Sequence, residues 1–407
     1  MPVDRFLTAL ASDLATLDAR GNPKRHELVI EGVVAAAGGF GPRYRVAGRG
    51  GELFLKMNSN NYLGMGLRRE VVEAEEAASR KYGAGPGAVR FISGTYAPHV
   101  ELEATLARFH GRESAMIFSS AYASMLGVFT PLVTEETALV SDALNHNCII
   151  NAIRLARPKE KRVYRHNDVA DFDAKLAEVE GCRRALVVTD GIFSMRGDEA
   201  PLPAILDVAR RHDAKFPENV VVIVDDSHGV GAFGVTGRGT EEATGSGAAD
   251  ILIGTLGKAF GVNGGYVTGP AGLIDFLRES SPTYIYSNPI TPAEAAAAKK
   301  AIEILDGPDG RGILDHLAAV TRRFRDGLIR LGFETLHGTH PVVPLLVRDT
   351  ARTTALVRHL LRHGILATGL NFPVVPKGDE TIRFQVSADH TPQDIDFVLD
   401  VLAQFKG

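Results

Sequence analysis

Thiols are scarce in this chain. Cys148 and Cys182 are its two cysteines in 407 residues. They form no Cys-x-x-Cys pair, which argues against a zinc site or a disulfide scaffold and points to a reducing compartment, the cytoplasm. Long apolar runs are also missing. The longest, such as Val220 to Val224, have strand length and fall far short of the ~18 residues of a membrane span. No long basic run occurs. The 45 basic residues are outnumbered by 49 acidic ones, for a net charge of −4, so nucleic acid is not an expected partner. The start, Met1 to Leu17, carries Asp4, Arg5 and Asp13, and reads as an amphipathic helix instead of a signal peptide. Two nucleotide motifs are absent as well. Gly254 to Lys258 lacks the first glycine of a P-loop, where Leu252 stands, and its Ser or Thr, where Ala259 stands. No Gly-x-Gly-x-x-Gly joins an early strand to a helix.

What is present is apolar content of 45%, enough for two or three domains with substantial cores. Residues 1–57 read as a helix and an irregular arm, with a short strand at 52–57. A large domain spans 58–290. Helices at 70–82 and 98–109 open it, and the polar run from Asn58 to Gly64 reads as a loop. Strands at 115–118, 137–140, 184–189, 220–224, 251–253 and 265–268 then follow. Helices at 121–132, 148–156 and 203–212 alternate with them. β-branched strands alternating with helices predict an α/β fold with a mainly parallel sheet covered on both faces. Thr291-Pro292-Ala293-Glu294 is a capping box with proline at the first helical position. It opens a smaller α+β domain over 291–407, with strands at 342–347 and 382–386 and helices at 314–331, 354–362 and 392–405.

Open parallel sheets bind ligands beyond the carboxyl ends of their strands. Polar groups follow five successive predicted strands: Ser119, Ser120, Ala121 and Tyr122; Ser141, Asp142, Asn145 and His146; Thr189, Asp190 and Ser194; Asp225, Asp226, Ser227 and His228; Thr255 and Lys258. Each has an ordinary explanation. Lys258 fits a solvent-facing turn, Asp225 a cap or turn and His146 a satisfied core histidine. Cys148 beside His146 fits a thiol nucleophile or a buried structural cysteine. Asp225-x-x-His228 is half a metal site, but no third and fourth ligand stand at suitable spacing, so no metal is expected. One cofactor accounts for the set. Pyridoxal phosphate needs a lysine for its aldehyde, a carboxylate for its ring nitrogen and an anion site for its phosphate. Lys258 and Asp225 supply the first two. Ser120 to Tyr122 at a helix start, with the Thr255 hydroxyl, supply the third.

In order along the chain stand Asn60-Asn61-Tyr62-Leu63-Gly64, Ser141-Asp142-x-x-Asn145-His146, Asp190-Gly191-x-Phe193-Ser194-Met195-x-Gly197, Asp225-Asp226-Ser227-His228-Gly229 and Gly254-Thr255-Leu256-Gly257-Lys258. This set resembles the α-oxoamine synthases, pyridoxal-phosphate enzymes of the aspartate-aminotransferase fold (fold type I). The likeness runs from about residue 28 to the C-terminus. These enzymes join an amino acid to an acyl-CoA, most with loss of CO2. The resemblance implies that Lys258 bonds the cofactor and moves the α-proton. It implies that Asp225 pairs with the ring nitrogen and that His146 stacks on the ring. His228 and Ser194 would approach the phenolic oxygen. Arg383 and Asn60 would hold the substrate carboxylate. Ser287 and Asn288 would reach the phosphate of a neighbouring subunit, making the enzyme an obligate homodimer.

Within the family, Val89 to Thr95, Asp225 to His228 and Pro373 to Gly378 resemble the members that join glycine to acetyl-CoA. Tyr96, Arg165-His166-Asn167 and Gly197 to Leu202 resemble the bacterial serine-using members. Ser120 to Ser124, Gly261 to Gly265 and Phe384 depart from the usual pattern and bear on acyl-chain and amino-acid choice. Decarboxylating condensations of the serine palmitoyltransferase or 8-amino-7-oxononanoate synthase type are alternatives. So is an aminotransferase or lyase on the same fold. A partner subunit without cofactor is a further alternative, and Lys258, Asp225, His146 and His228 together count against it.

Overall fold

The computed structural model describes residues 3–19, 25, 27–372 and 375–406. Of the segments named above, residues 1–2, 20–24, 26, 373–374 and 407 lie outside them. The chain divides into two compact units. The larger comprises Asn60–Ala319 and Gly338–Pro341, and the smaller Met1–Ser59, Val320–His337 and Val342–Gly407.

The larger unit is built on a seven-stranded sheet. Its order is Ser114–Phe118, Gly265–Gly269, Ile251–Thr255, Val220–Asp225, Arg184–Asp190, Thr137–Asp142, Glu160–Tyr164. Only Gly265–Gly269 runs against its neighbours; the others are parallel. Strands Thr137–Asp142, Ile251–Thr255 and Gly265–Gly269 are buried along their whole length, as strands covered on both faces must be. The apolar core of the sheet runs through Met116, Leu139, Leu186, Ile223, Ile253 and Val267 and packs against Met125, Val128 and Phe129 of helix Ala121–Leu132.

Several strands extend past their apolar runs, because the hydrogen-bond ladder continues into the polar residues beyond. Asp142 pairs with Tyr164 in register, and Asp190 pairs with Asp225. The edge strand Glu160–Tyr164 has no counterpart among the predicted strands. Its first residues are Glu, Lys and Arg, charges that guard an open sheet edge and hide the period-two pattern. Helix Pro292–Leu305 has the predicted capping box: Thr291 Oγ accepts from Glu294 N at 3.0 Å, and Glu294 Oε2 accepts from Thr291 N at 2.7 Å. The helix packs on Arg69–Tyr82 and Ala97–Phe109 within the larger unit.

The smaller unit holds two four-stranded sheets. The segment read as an irregular arm forms strands Ile30–Val34 and Arg43–Val46, paired antiparallel. Ile30 and Val33 stay exposed, so this ribbon carries little of the burial signal by which strands are recognised. Helix Pro392–Ala403 ties it down. Asp394 accepts from Gly41 N at 2.9 Å and from Arg43 Nη2 at 2.6 Å while capping its own helix.

One glycine joins the fold to the site. At Gly265 an added Cβ would lie 2.2 Å from Ala121 N and 2.3 Å from the Ser120 carbonyl carbon. The start of helix Ala121–Leu132 therefore rests directly on this strand, a close approach that needs glycine. Gly265→Ala should cost about 1–3 kcal/mol through overpacking and lower the denaturation midpoint. An unchanged midpoint would show that the helix start does not depend on this contact.

Candidate active site

The strand ends of the larger unit are stitched together by Asn145. Its Nδ2 donates to Val188 O at 2.8 Å and Ser141 Oγ at 2.9 Å, and its Oδ1 accepts from Asp190 N at 2.8 Å. That fixes His146 as the N-cap of helix Asn147–Ala156. His146 Nδ1 accepts from Cys148 N at 3.2 Å, with Cys148 Sγ 2.9 Å away. With Nδ1 accepting, the ring proton sits on Nε2. Burial lowers the His146 pKa, against the pull of Asp225, so the ring is held neutral.

Asp225 closes strand Val220–Asp225 and is 5% exposed, which requires that its carboxylate be hydrogen-bonded. Oδ1 accepts from Ser227 Oγ at 2.5 Å and Ser227 N at 3.1 Å; Cys148 Sγ stands 3.6 Å from Oδ2. Burial, then the charges of Asp225 and Asp190, push the Cys148 thiol far up, so the buried structural reading of this cysteine holds. Asp190, the register partner of Asp225, is itself raised well above an ordinary carboxyl by burial and by Asp225. Two carboxyls thus stand side by side, with Asp190 favoured as the neutral one.

His228 sits in the turn beyond Asp225. Its Nδ1 is 2.7 Å from Tyr62 Oη, which also donates to Asn60 Oδ1 at 3.2 Å. His340 Nε2 hydrogen-bonds the His228 carbonyl at 2.9 Å and meets the Tyr62 ring edge-on at 5.5 Å. Lys258 follows strand Ile251–Thr255 after a turn in which Thr255 Oγ1 donates to Gly264 O and accepts from Gly257 N, each at 3.1 Å.

One cavity is lined by Ala121, Tyr122, His146, Cys148, Asp190, Ile192, Ser194, Asp225, Ser227, His228 and Lys258. It gathers seven residues singled out from the sequence: Ala121, Tyr122, His146, Ser194, Asp225, His228 and Lys258. Ser120 stands behind its wall, its Oγ accepting from Ala123 N at 3.1 Å as the helix cap. Thr255 is buried behind the Lys258 turn, and Asn60 is reached through Tyr62. Ser287 and Asn288 lie after the short helix Pro282–Ile285 and do not line the cavity. Arg383 lies on strand Thr381–Gln385 of the smaller unit. Asp190 and Ser227, which follow strands in the sequence, and Cys148, which stands beside His146, also line the cavity, though the sequence reading assigns them no cofactor contact. Tyr62, the single aromatic in the run from Asn58 to Gly64, carries no role in the sequence reading; the fold brings it to His228.

The cavity suits pyridoxal phosphate on the chemistry of its own donors. A lysine and a buried, doubly supported carboxylate share it. The first turn of a helix, whose N–H groups lack intrahelical acceptors, contributes two lining residues over Gly265.

Comparison with known proteins agrees. The aminotransferase class I and II family profile matches residues 53–402. The human mitochondrial 2-amino-3-ketobutyrate coenzyme A ligase is 42% identical over 366 residues, covering 89% of this chain and 85% of that protein. The 8-amino-7-oxononanoate synthase of Thermosipho melanesiensis is 41% identical over 351 residues, covering 86% and 88%. Among solved structures, a lysine-to-alanine variant of serine palmitoyltransferase from S. paucimobilis, with PLP and myriocin bound, superposes with a TM-score of 0.87 at 27% identity, covering 98% and 97%. The chain belongs to the aminotransferase class I and II family and, within it, to the pyridoxal-phosphate-dependent α-oxoamine synthases.

Proposed function

We propose that this enzyme condenses glycine, or another small amino acid, with a short acyl-CoA to give an α-amino ketone product and free CoA. The observation that carries this reading is the single cavity holding Lys258, Asp225, His146, His228 and Ser194. It is joined to 42% identity with a 2-amino-3-ketobutyrate coenzyme A ligase. In the reaction the thioester C–S bond breaks, a C–C bond forms at the amino acid's α-carbon, and the sulfur leaves as CoA thiol. A second reading, a longer acyl-CoA on the same site, is favoured by the nearly equal identity to an 8-amino-7-oxononanoate synthase.

Pyridoxal phosphate, when bound, supplies a ring that accepts the electron pair released at the α-carbon. The chain's own residues do the rest. Lys258 Nζ would hold the cofactor's aldehyde and take the α-proton. Asp225, fixed by Ser227, would keep the ring nitrogen protonated and so preserve the electron sink. His146, held neutral and oriented through Cys148, would support the ring face. His228, aimed by Tyr62, and Ser194 would attend the phenolic oxygen. The N–H groups at Ser120, Ala121 and Tyr122 and the Thr255 hydroxyl attend the phosphate. Arg383, with Asn60, clamps the substrate carboxylate, a task for which guanidinium geometry is suited. Ser287 and Asn288 serve the partner subunit's phosphate, which makes the working unit a homodimer. Two free cysteines, both buried, fit a cytoplasmic setting. Among the described residues no helix is long and apolar enough to cross a membrane.

Glycine and acetyl-CoA added to the reconstituted enzyme should release CoA thiol, read with a thiol reagent. No release with any pairing of glycine, serine or alanine with a series of acyl-CoAs would overturn the synthase reading. Asp225→Ala should lower turnover by several orders of magnitude and weaken cofactor retention; near-normal kcat would contradict its role. Arg383→Ala should raise KM for the amino acid with a smaller change in kcat. An unchanged KM would reassign that arginine.

A further inference from the structure

His166 stands near the site, yet the proposed chemistry leaves it idle. Its ring is wedged between two carboxylates, with Nδ1 3.1 Å from Asp142 Oδ1 and Nε2 3.1 Å from Asp198 Oδ2. Ionised carboxylates only accept hydrogen bonds, so a ring that satisfies both must donate from both nitrogens. The ring also stands edge-on to Phe193, centroids 4.4 Å apart at 84°.

The two carboxylates belong to two segments that each carry a lining residue of the cavity, His146 and Ser194. Asp142 ends strand Thr137–Asp142 and starts the turn that carries Asn145 and His146; its Oδ1 also accepts from Leu144 N at 2.7 Å. Asp198 closes a tight loop in which Phe193 N donates to Asp198 O at 3.0 Å and Gly197 N to Phe193 O at 2.8 Å. Ser194 rides on that loop. Asn167 repeats the link. Its N donates to Asp142 Oδ2 at 2.9 Å and its Nδ2 to Glu199 O at 3.1 Å, from a left-handed backbone with φ 54°.

We propose that His166 is a positioning residue: donating to Asp142 and Asp198 together, it ties the turn that carries His146 to the loop that carries Ser194. The proposal rests on the functional reading above for what those two side chains do, but the tie itself is a property of the chain. Burial opposes a charge on His166, and the hydrogen bonds to Asp142 and Asp198 outweigh it, holding the pKa up at about 9. Of the other charges nearby, Arg196 shares Asp198 Oδ2 with His166, and the rest are engaged elsewhere. Arg196 Nε donates to Asp198 at 2.8 Å, Arg165 pairs with Asp168 at 2.9 Å, and Asp171 accepts from Arg165 N at 2.7 Å. Asp190, which lines the cavity, is raised by burial and by Asp225. The folded-state pKa lies above the unfolded value, so the tie contributes fully below about pH 6.5 and is lost as pH rises through about 9.

The test follows the His166 ring signal by NMR in the wild-type holoenzyme between pH 6 and 10, assigned by its absence in His166→Gln or its shift in Asp198→Asn. A midpoint about two units above the ~6.5 of a free histidine is expected; a midpoint near 6.5 would overturn the proposal. Equilibrium binding of pyridoxal phosphate supplies the second arm. His166→Gln and Asp198→Asn should each raise Kd about tenfold, with the difference from wild type shrinking toward pH 9.5. Adding Ser194→Ala should cost much less in the His166→Gln background than alone, the non-additivity of groups that act together. Full additivity, or unchanged Kd in both folded variants, would overturn the positioning role. Failure of the wild type to bind pyridoxal phosphate would instead refute the cofactor reading, and the NMR midpoint would still decide the state of His166.

Discussion

The Asp225 carboxylate is the fixed point of this molecule. It stands at the end of a buried parallel strand, where a carboxylate must be hydrogen-bonded. Ser227 holds one oxygen from both its hydroxyl and its backbone, and the Cys148 thiol stands beside the other. The same Cys148 hydrogen-bonds His146. One side chain thus sets the relation between Asp225 and His146. A cysteine suits the place because it is small, apolar and a weak donor at once.

Behind Asp225 the next residue does related work for the backbone. Asp226 is fully buried and accepts from Thr240 N at 2.7 Å and Thr240 Oγ1 at 2.6 Å. A Cβ at Gly191, Gly229 or Gly239 would come within 2.2, 2.1 and 1.9 Å of its carboxylate. Three loops therefore converge on one carboxylate, and each can do so only through glycine. Burial raises Asp226 to about 7, with the Thr240 hydrogen bonds pulling the other way. Gly191 opens the loop that bears Ser194, and Gly229 directly follows His228, so Asp226 is a packing hub for the site and not a spare acid.

Much of this was legible in the sequence because strand ends are. Apolar runs followed by polar residues located Asp225, Lys258, His146 and Ser194 before any coordinates, since a parallel sheet must bring such ends to one rim. The edge strand Glu160–Tyr164 and the ribbon from Ile30 to Val46 were not legible, because solvent-facing strands carry charges or exposed apolar residues in place of a buried pattern. Tyr62 was hidden for a different reason. Its hydrogen bond to His228 spans 166 positions of chain, and no local pattern encodes it. The same holds for His166, whose two acceptors lie 24 and 32 positions away.

The account depends on Lys258 being the lysine that bonds the cofactor. Borohydride reduction of the reconstituted enzyme, followed by proteolysis and mass spectrometry, reads this directly. A phosphopyridoxyl group on the peptide that contains Lys258, and on no other, is the predicted result. The group on a different lysine, or an unmodified Lys258 peptide in an enzyme that retains the cofactor, would contradict it.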